Sequence, residues 1–175
     1  MAETETAGTR RLVVLRHAKS DWPVGVDDHE RPLGARGRKD APAAGRWLRD
    51  TGWPLDHVRC STAVRARDTW QLAAAELPVP PEAVFDDRVY DASVPALVDV
   101  LRAVPQTAGT AVLIGHNPGL QELVLTLAGD PGAAVFHRVQ VKFPTSAIAV
   151  LTLPGEWAAL EPANATLTQL AVPRG

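Results

Sequence analysis

Strand–helix alternation through residue 128, followed by a strand-like tail, predicts an α/β sandwich with mixed edge strands. Three observations carry this reading. The short apolar runs 12–15 and 110–114 read as buried strands. The stretches 35–50, 62–75, 93–103 and 118–128 place apolar residues at helical spacing. Beyond Gly132, "FHRVQVKF", "SAIAVLTL" and "LTQLAV" alternate apolar and polar residues, as antiparallel or edge strands do. The chain's 175 residues suit one domain over 10–175, preceded by a polar, acidic tail at 1–9.

The elements follow in order. Leu12 to Leu15 is short, β-branched and bounded by polar residues, which marks a buried strand. Residues 20–34 hold two prolines, two glycines and the charge cluster "DDHER". A long loop of this kind after a strand points to a functional role, either gating a site or selecting a partner. From Ala35 to Asp50, Ala41, Ala44, Trp47 and Leu48 form one apolar stripe, and Gly52 and Pro54 end the helix. "HVRCS" at 57–61 is a second short strand. Ser61 or Thr62 is placed to cap the helix that follows. "LPVPPEA" interrupts the chain before a brief strand at 83–85. Ser93 caps a helix that tolerates Pro95 in its first turn. Thr110 to Ile114 is the clearest buried strand, and Asn117 with Pro118 suits a helix start.

Composition excludes several classes of function. The apolar fraction of 46% and a net charge of −2 describe an ordinary globule without the basic field that nucleic acid requires. Cys60 is the single cysteine, so no internal disulfide and no cysteine-based metal site can form, and a buried structural thiol is expected. No apolar run reaches transmembrane length and the first ten residues lack a signal-peptide core, so a cytoplasmic protein without membrane contact is expected. Asn164-Ala165-Thr166 then carries no meaning as a glycosylation sequon. Trp22 and Trp53 read equally well as surface anchors or core residues. A monomer is the default, since nothing in the sequence sets the oligomeric state.

Three strands end in polar groups of one kind. The first delivers Arg16 and His17, the second Ser61 and then Arg65 and Arg67, and the third Gly115, His116 and Asn117. Open α/β sheets place ligands beyond the C-terminal ends of such strands. Two arginine forks suit the nonbridging oxygens of a phosphoryl group, and the start of a helix favours an anion. A histidine among cations has a lowered pKa and stays neutral and nucleophilic, with its other ring nitrogen held by a backbone carbonyl or similar acceptor. Taken singly, each element is equally an ordinary strand end, a helix charge or a turn. Spacing alone leaves both readings open.

The ordered set "LRHAKS" at 15–20, "STAVRARDT" at 61–69 and "IGHNP" at 114–118 resembles the signatures of the histidine phosphatase superfamily. It is most similar to the small SixA-like phosphohistidine phosphatases. "DWPVGVDDHERPLGARGRKDA" at 21–41 is similar to the stretch after the catalytic histidine there, and the likeness spans about residues 10–150. The resemblance implies a phosphoglycerate mutase-like fold: a three-layer α/β/α sandwich, with a mostly parallel central sheet and an antiparallel edge strand. It implies that His17 is the nucleophile that becomes phosphorylated. Arg16, Arg65 and His116 would bind the phosphoryl oxygens, with Lys19, Ser20 and Asn117 at the rim or behind it. No metal or cofactor is implied, because the pocket supplies its own positive charge. The chain departs from the usual pattern at Thr62 and Trp70, which read as packing or capping differences.

An ester substrate also needs a proton donor. Asp87 in "FDDRVYDAS" falls nearest the family's acidic position, with Asp86 and Asp91 as rivals; Asp91 is alternatively a cap for the helix near Ser93. Imidazole is a better leaving group than an alkoxide, so an enzyme acting on phosphohistidine tolerates a poorly placed acid. The connections 75–86 and 126–135 are short and leave no room for a lid domain, which suits a phosphate carried on a protein surface or on a small ester. The leading expectation is a protein-phosphohistidine phosphatase. A small-molecule phosphomonoesterase is the alternative, and a non-catalytic phosphate- or partner-binding module is the third reading.

Overall fold

The computed structural model describes residues 8–175, so residues 1–7 of the expected tail lie outside the described residues. Six strands form one sheet: β1 (Arg10–Arg16), β2 (His57–Cys60), β3 (Ala83–Phe85), β4 (Thr110–Gly115), β5 (Ile148–Leu153) and β6 (Thr166–Ala171). Their order is β3-β2-β4-β1-β5-β6. The first four are mutually parallel, β5 runs antiparallel to β1, and β6 is antiparallel to β5.

Five helices cover the two faces: α1 (Ala35–Asp50), α2 (Val64–Ala74), α3 (Val94–Arg102), α4 (Gly119–Leu127) and α5 (Ala134–Val141). The alternation of side chains along β1 separates the two cores. Leu12 and Val14 pack with Leu97, Leu101, Leu120, Leu123 and Trp157 on the α3–α4 side. Val13 and Leu15 pack with Ala44, Leu48, Trp70 and Cys60 on the α1–α2 side. Strands buried on both faces explain the unbroken apolar runs in β1 and β4. The result is the expected three-layer sandwich. Helices α1 and α2 lie very close, because a Cβ on Gly45 would stand 2.2 Å from the Ala73 carbonyl oxygen.

The structure differs from the sequence reading in three places. "FHRVQVKF" is no strand: residues 134–141 form α5. Val139 is buried and Val135 and Phe136 pack against the same core, a spacing of three to four that outweighs the apparent alternation. Asn117 does not cap α4, whose N-cap is Pro118; its side-chain amide donates instead to the Phe143 carbonyl at 2.9 Å. Neither Ser61 nor Thr62 is the N-cap of α2, a place held by Ala63. Ser93 does cap α3, accepting from Ala96 N–H at 3.4 Å, with Pro95 in the first turn.

Candidate active site

Strand register assembles the site. Arg16 lies beside Gly115, and Cys60 beside Ile114. The residues that follow, His17, Ser61 and His116, therefore emerge together at the C-terminal edge of the parallel strands. His17 and His116 line a cleft of about 500 Å³ together with Arg16, Lys19, Ser20, Trp22, Asp28, Arg31, Arg65, Tyr90 and Asn117 among others, while the buried Ser61 stands behind His116.

His17 is buried, with 6% of its surface exposed. Its Nδ1–H donates to the Ala18 carbonyl at 2.7 Å, which leaves Nε2 with its lone pair. Burial first, then the nearby His116, Arg65 and Arg16, push its pKa down to about 3. His116 lies with its ring centroid 5.1 Å from that of His17. Its pKa is also pushed down to about 3, by burial and then by Arg65, with Asp28 opposing. Ser61 Oγ lies 2.7 Å from His116 Nε2 and also accepts from Ala63 N–H. With the serine hydroxyl donating to Nε2, the His116 proton sits on Nδ1, a buried atom without a protein partner among the described residues. Nδ1 is then the nitrogen that serves as donor.

The two arginines are anchored from behind. Arg16 donates from Nη1 to the Phe143 carbonyl at 3.0 Å. Arg65, the second residue of α2 and 5% exposed, donates from Nη1 to the Asp28 carbonyl at 2.6 Å and from Nη2 to Asp28 Oδ2 at 3.0 Å. The Nε atoms of both arginines are buried without a partner among the described residues. Asp28 also accepts from Tyr90 Oη and from Arg31 Nε, and these contacts, with Tyr90 foremost, hold its carboxyl far below the usual range. Around His17 the pocket thus combines the forks of Arg16 and Arg65, two neutral imidazoles and the ionised Asp28 carboxylate, which is committed to its neighbours; Arg31 and Asp91 also line its wall.

The other residues singled out in the sequence take varied places. Lys19 is exposed on the cleft wall. Ser20 is buried and accepts from Arg31 Nη1 at 2.9 Å. Arg67 lies over the Phe85 ring, away from the cleft. Asp87 accepts from Thr62 Oγ1 at 2.6 Å and is not among the cleft-lining residues. Asp86 is engaged by Arg59 and Arg88. Asp91 is exposed and lines the cleft. Cys60 is fully buried in the α1–α2 core, where burial raises its thiol pKa. Trp22 stands at the rim, and Trp53 packs edge-on against Trp47.

Sequence reasoning missed Asp28, Arg31, Tyr90 and the supporting role of the turn 143–146. Ser146 N–H donates to the carbonyls of Arg16 and His17, and Phe143 lends its carbonyl to Arg16 and Asn117. The "DDHER" cluster was visible, but its use as the anchor of Arg65 was not. Among the described residues no group of three or more His, Cys, Asp or Glu is arranged to hold a metal ion, and no helix is long and apolar enough to cross a membrane.

Comparison with known proteins agrees with this geometry. Residues 12–92 match the family described as histidine phosphatase superfamily, branch 1. An uncharacterised protein of Mycobacterium tuberculosis is 43% identical over 91% of this chain and 100% of its own. The solved SixA-type structure from Nakamurella multipartitia is 32% identical, covers 95% of this chain and 98% of its own, and superposes with a TM-score of 0.85. The SixA structure from Agrobacterium tumefaciens is 26% identical, covers 94% and 98%, and gives a TM-score of 0.78. From the fold, the ordered histidines and arginines and these likenesses, the chain belongs to the histidine phosphatase superfamily and stands with its SixA-like members.

Proposed function

We propose that the cleft hydrolyses phosphohistidine carried on a protein, through a phosphohistidine intermediate on His17. The His17 Nε2 lone pair attacks phosphorus while the P–N bond to the substrate imidazole breaks and that nitrogen takes the electron pair. Arg16, Arg65 and the His116 Nδ1–H stabilise the equatorial oxygens as charge shifts. Water then attacks phosphorus, the P–Nε2 bond of His17 breaks, and inorganic phosphate leaves with the water proton passing to solvent. The hydrogen bond from Nδ1 to the Ala18 carbonyl fixes the tautomer in which Nε2 is free to attack, and it survives both steps.

The observation that carries the substrate class is the placement of the carboxylates. Asp28, in the cleft wall, is ionised and held by Tyr90, Arg65 and Arg31. Asp87 faces Thr62, Asp86 faces two arginines, and Asp91 lies exposed to water on the cleft wall. A leaving group that departs without strong acid assistance fits this arrangement, and an imidazole already protonated on its second nitrogen is one. We also read residues 10–175 as a single domain, a reading supported by six strands joining one sheet.

A second reading, phosphomonoester hydrolysis, draws on Asp91, which does line the cleft, and on Asp87 if it turns away from Thr62. The test compares a phosphohistidine protein with a panel of sugar, nucleotide and glycerate phosphates, using wild type, His17→Ala, Asp87→Asn and Asp91→Asn. The phosphohistidine reading expects His17→Ala to abolish turnover and the acid-labile phosphoenzyme, with both Asp variants near wild type on the phosphoramidate. Turnover of esters alone, sharply reduced in either Asp variant, refutes it in favour of the esterase.

A further inference from the structure

The loop after β1 carries an apolar tip that the chemistry does not use. Three of the eight exposed large apolar side chains among the described residues fall within five positions: Trp22, Val24 and Val26. Trp22 is 72% exposed and Val24 is fully exposed, yet Trp22 also lines the same cleft as His17. A large carrier that presents a phosphoryl group to His17 from the Trp22 side of the cleft meets this tip.

The base of the tip is anchored at Trp22. The Arg31 guanidinium stacks on the Trp22 ring with its carbon 3.4 Å from the ring centroid. The same arginine donates to Ser20 Oγ, the Asp21 carbonyl and Asp28. Ser20 pairs with Leu33 in a β-bridge, and Asp21 N–H donates to the Pro32 carbonyl. A pre-ordered Trp22 binds at a lower ordering cost, and tryptophan is among the side chains that most often dominate such contacts. The exposed carboxylates of Asp21, Asp27 and Glu30 flank the tip in sequence, while the cations beside it, Lys19 and the buried Arg31, belong to the cleft wall.

We propose that the Trp22–Val26 tip is the docking surface for the protein that carries the phosphohistidine. The partner is a folded protein that presents its phosphorylated histidine beside an apolar patch ringed by lysine and arginine. This inference rests on the phosphohistidine reading above and adds to it the surface that distinguishes a protein substrate from a small one. Its basis is continuity with the cleft and the acidic flanks, which call for a basic complement.

The experiment measures kcat/KM on a phosphohistidine protein and on free phosphohistidine, for wild type, Val24→Ser/Val26→Ser and Asp27→Ser. Neither valine lines the cleft, so the small substrate should turn over as in wild type. For the protein substrate, the double valine variant is expected to lose about tenfold, from the burial of side chains of this size. Asp27→Ser is expected to lose several-fold and to flatten the salt dependence. Unchanged protein turnover in the valine variant, with small-substrate turnover intact, overturns the docking surface and leaves the phosphohistidine reading standing. A wild type that hydrolyses neither phosphoramidate overturns both. A valine variant that changes only the sedimentation of the protein overturns the proposal by making the tip a contact between copies of this chain.

Discussion

Two neutral histidines in one buried cleft make the stability of the fold depend on acid. His17 and His116 have folded-state pKa values pushed down to about 3, against about 6.5 in an unfolded chain. Above pH 6.5 neither state binds these protons and the histidines add no pH dependence. As pH falls from 6.5 towards 3, the unfolded chain takes up protons that the native state refuses, so stability falls with pH across that window. The loss is about 1.4 kcal/mol per pH unit for each such histidine. At pH 5 this amounts to about 2 kcal/mol for His17 and less for the more exposed His116. Asp28 adds no slope between pH 5 and 7.5, because its carboxyl lies far below that range when folded and is also ionised when unfolded. The perturbation is His17→Gln, which keeps a polar side chain of similar reach and cannot be protonated. Denaturant unfolding at pH 7.5 and pH 5 should show wild type losing about 2 kcal/mol more than the variant between the two conditions, or about 4–8 °C in Tm for a domain of this size. Parallel losses in the two proteins would show that His17 is protonated in the native state. The neutral nucleophile would then be ruled out along with the burial argument behind it.

Three further outcomes follow from the contacts. Asp28→Asn removes the charge that holds the Arg65 fork, and kcat/KM should fall by roughly tenfold or more, the worth of a hydrogen bond between charged groups; activity at wild-type level would mean that Arg65 is positioned without it. Arg174 donates to buried Asp40 at 3.2 Å and to the Thr145 carbonyl at 2.9 Å, next to the turn that buttresses Arg16 and His17. Arg174→Ala should therefore lower stability by about 1–3 kcal/mol in chemical denaturation and reduce kcat several-fold, with Arg174→Lys recovering part of both. Gly45→Ala drives a Cβ into the Ala73 backbone and should cost about 1–3 kcal/mol in thermal unfolding while leaving KM unchanged.

The fold was largely legible because its strands are buried on both faces and its helices carry apolar stripes. Leu12–Leu15 and Thr110–Ile114 announce themselves in this way, and the register between them is what brings Arg16 and His17 to His116. What pattern could not settle was α5, where eight residues fit two periods equally and only the surrounding core decides. The end-capping assignments for Asn117 and Ser61 failed for a related reason. Both side chains have the right chemistry for a cap, but each is drawn to a partner distant in sequence, Phe143 for Asn117 and His116 for Ser61.

The parts of the site that stayed hidden share one physical character. Arg16 is aimed by the carbonyl of Phe143, Arg65 by the carbonyl and carboxylate of Asp28, and the Arg16–His17 backbone by the amide of Ser146. Main-chain donors and acceptors are present at nearly every residue, so residue type cannot mark the ones in use. Side chains proposed to meet the phosphoryl group carry distinctive chemistry and show in the sequence. The groups that hold those side chains in place are chosen for position, and position exists only once the chain has folded. Asp28 lies between the two cases: its carboxylate is legible as charge in "DDHER", but its work on Arg65 depends on the loop folding back over α2. A substitution there should therefore act on the proposed phosphate clamp without touching the proposed nucleophile, which is why Asp28→Asn and His17→Gln separate the two halves of the site.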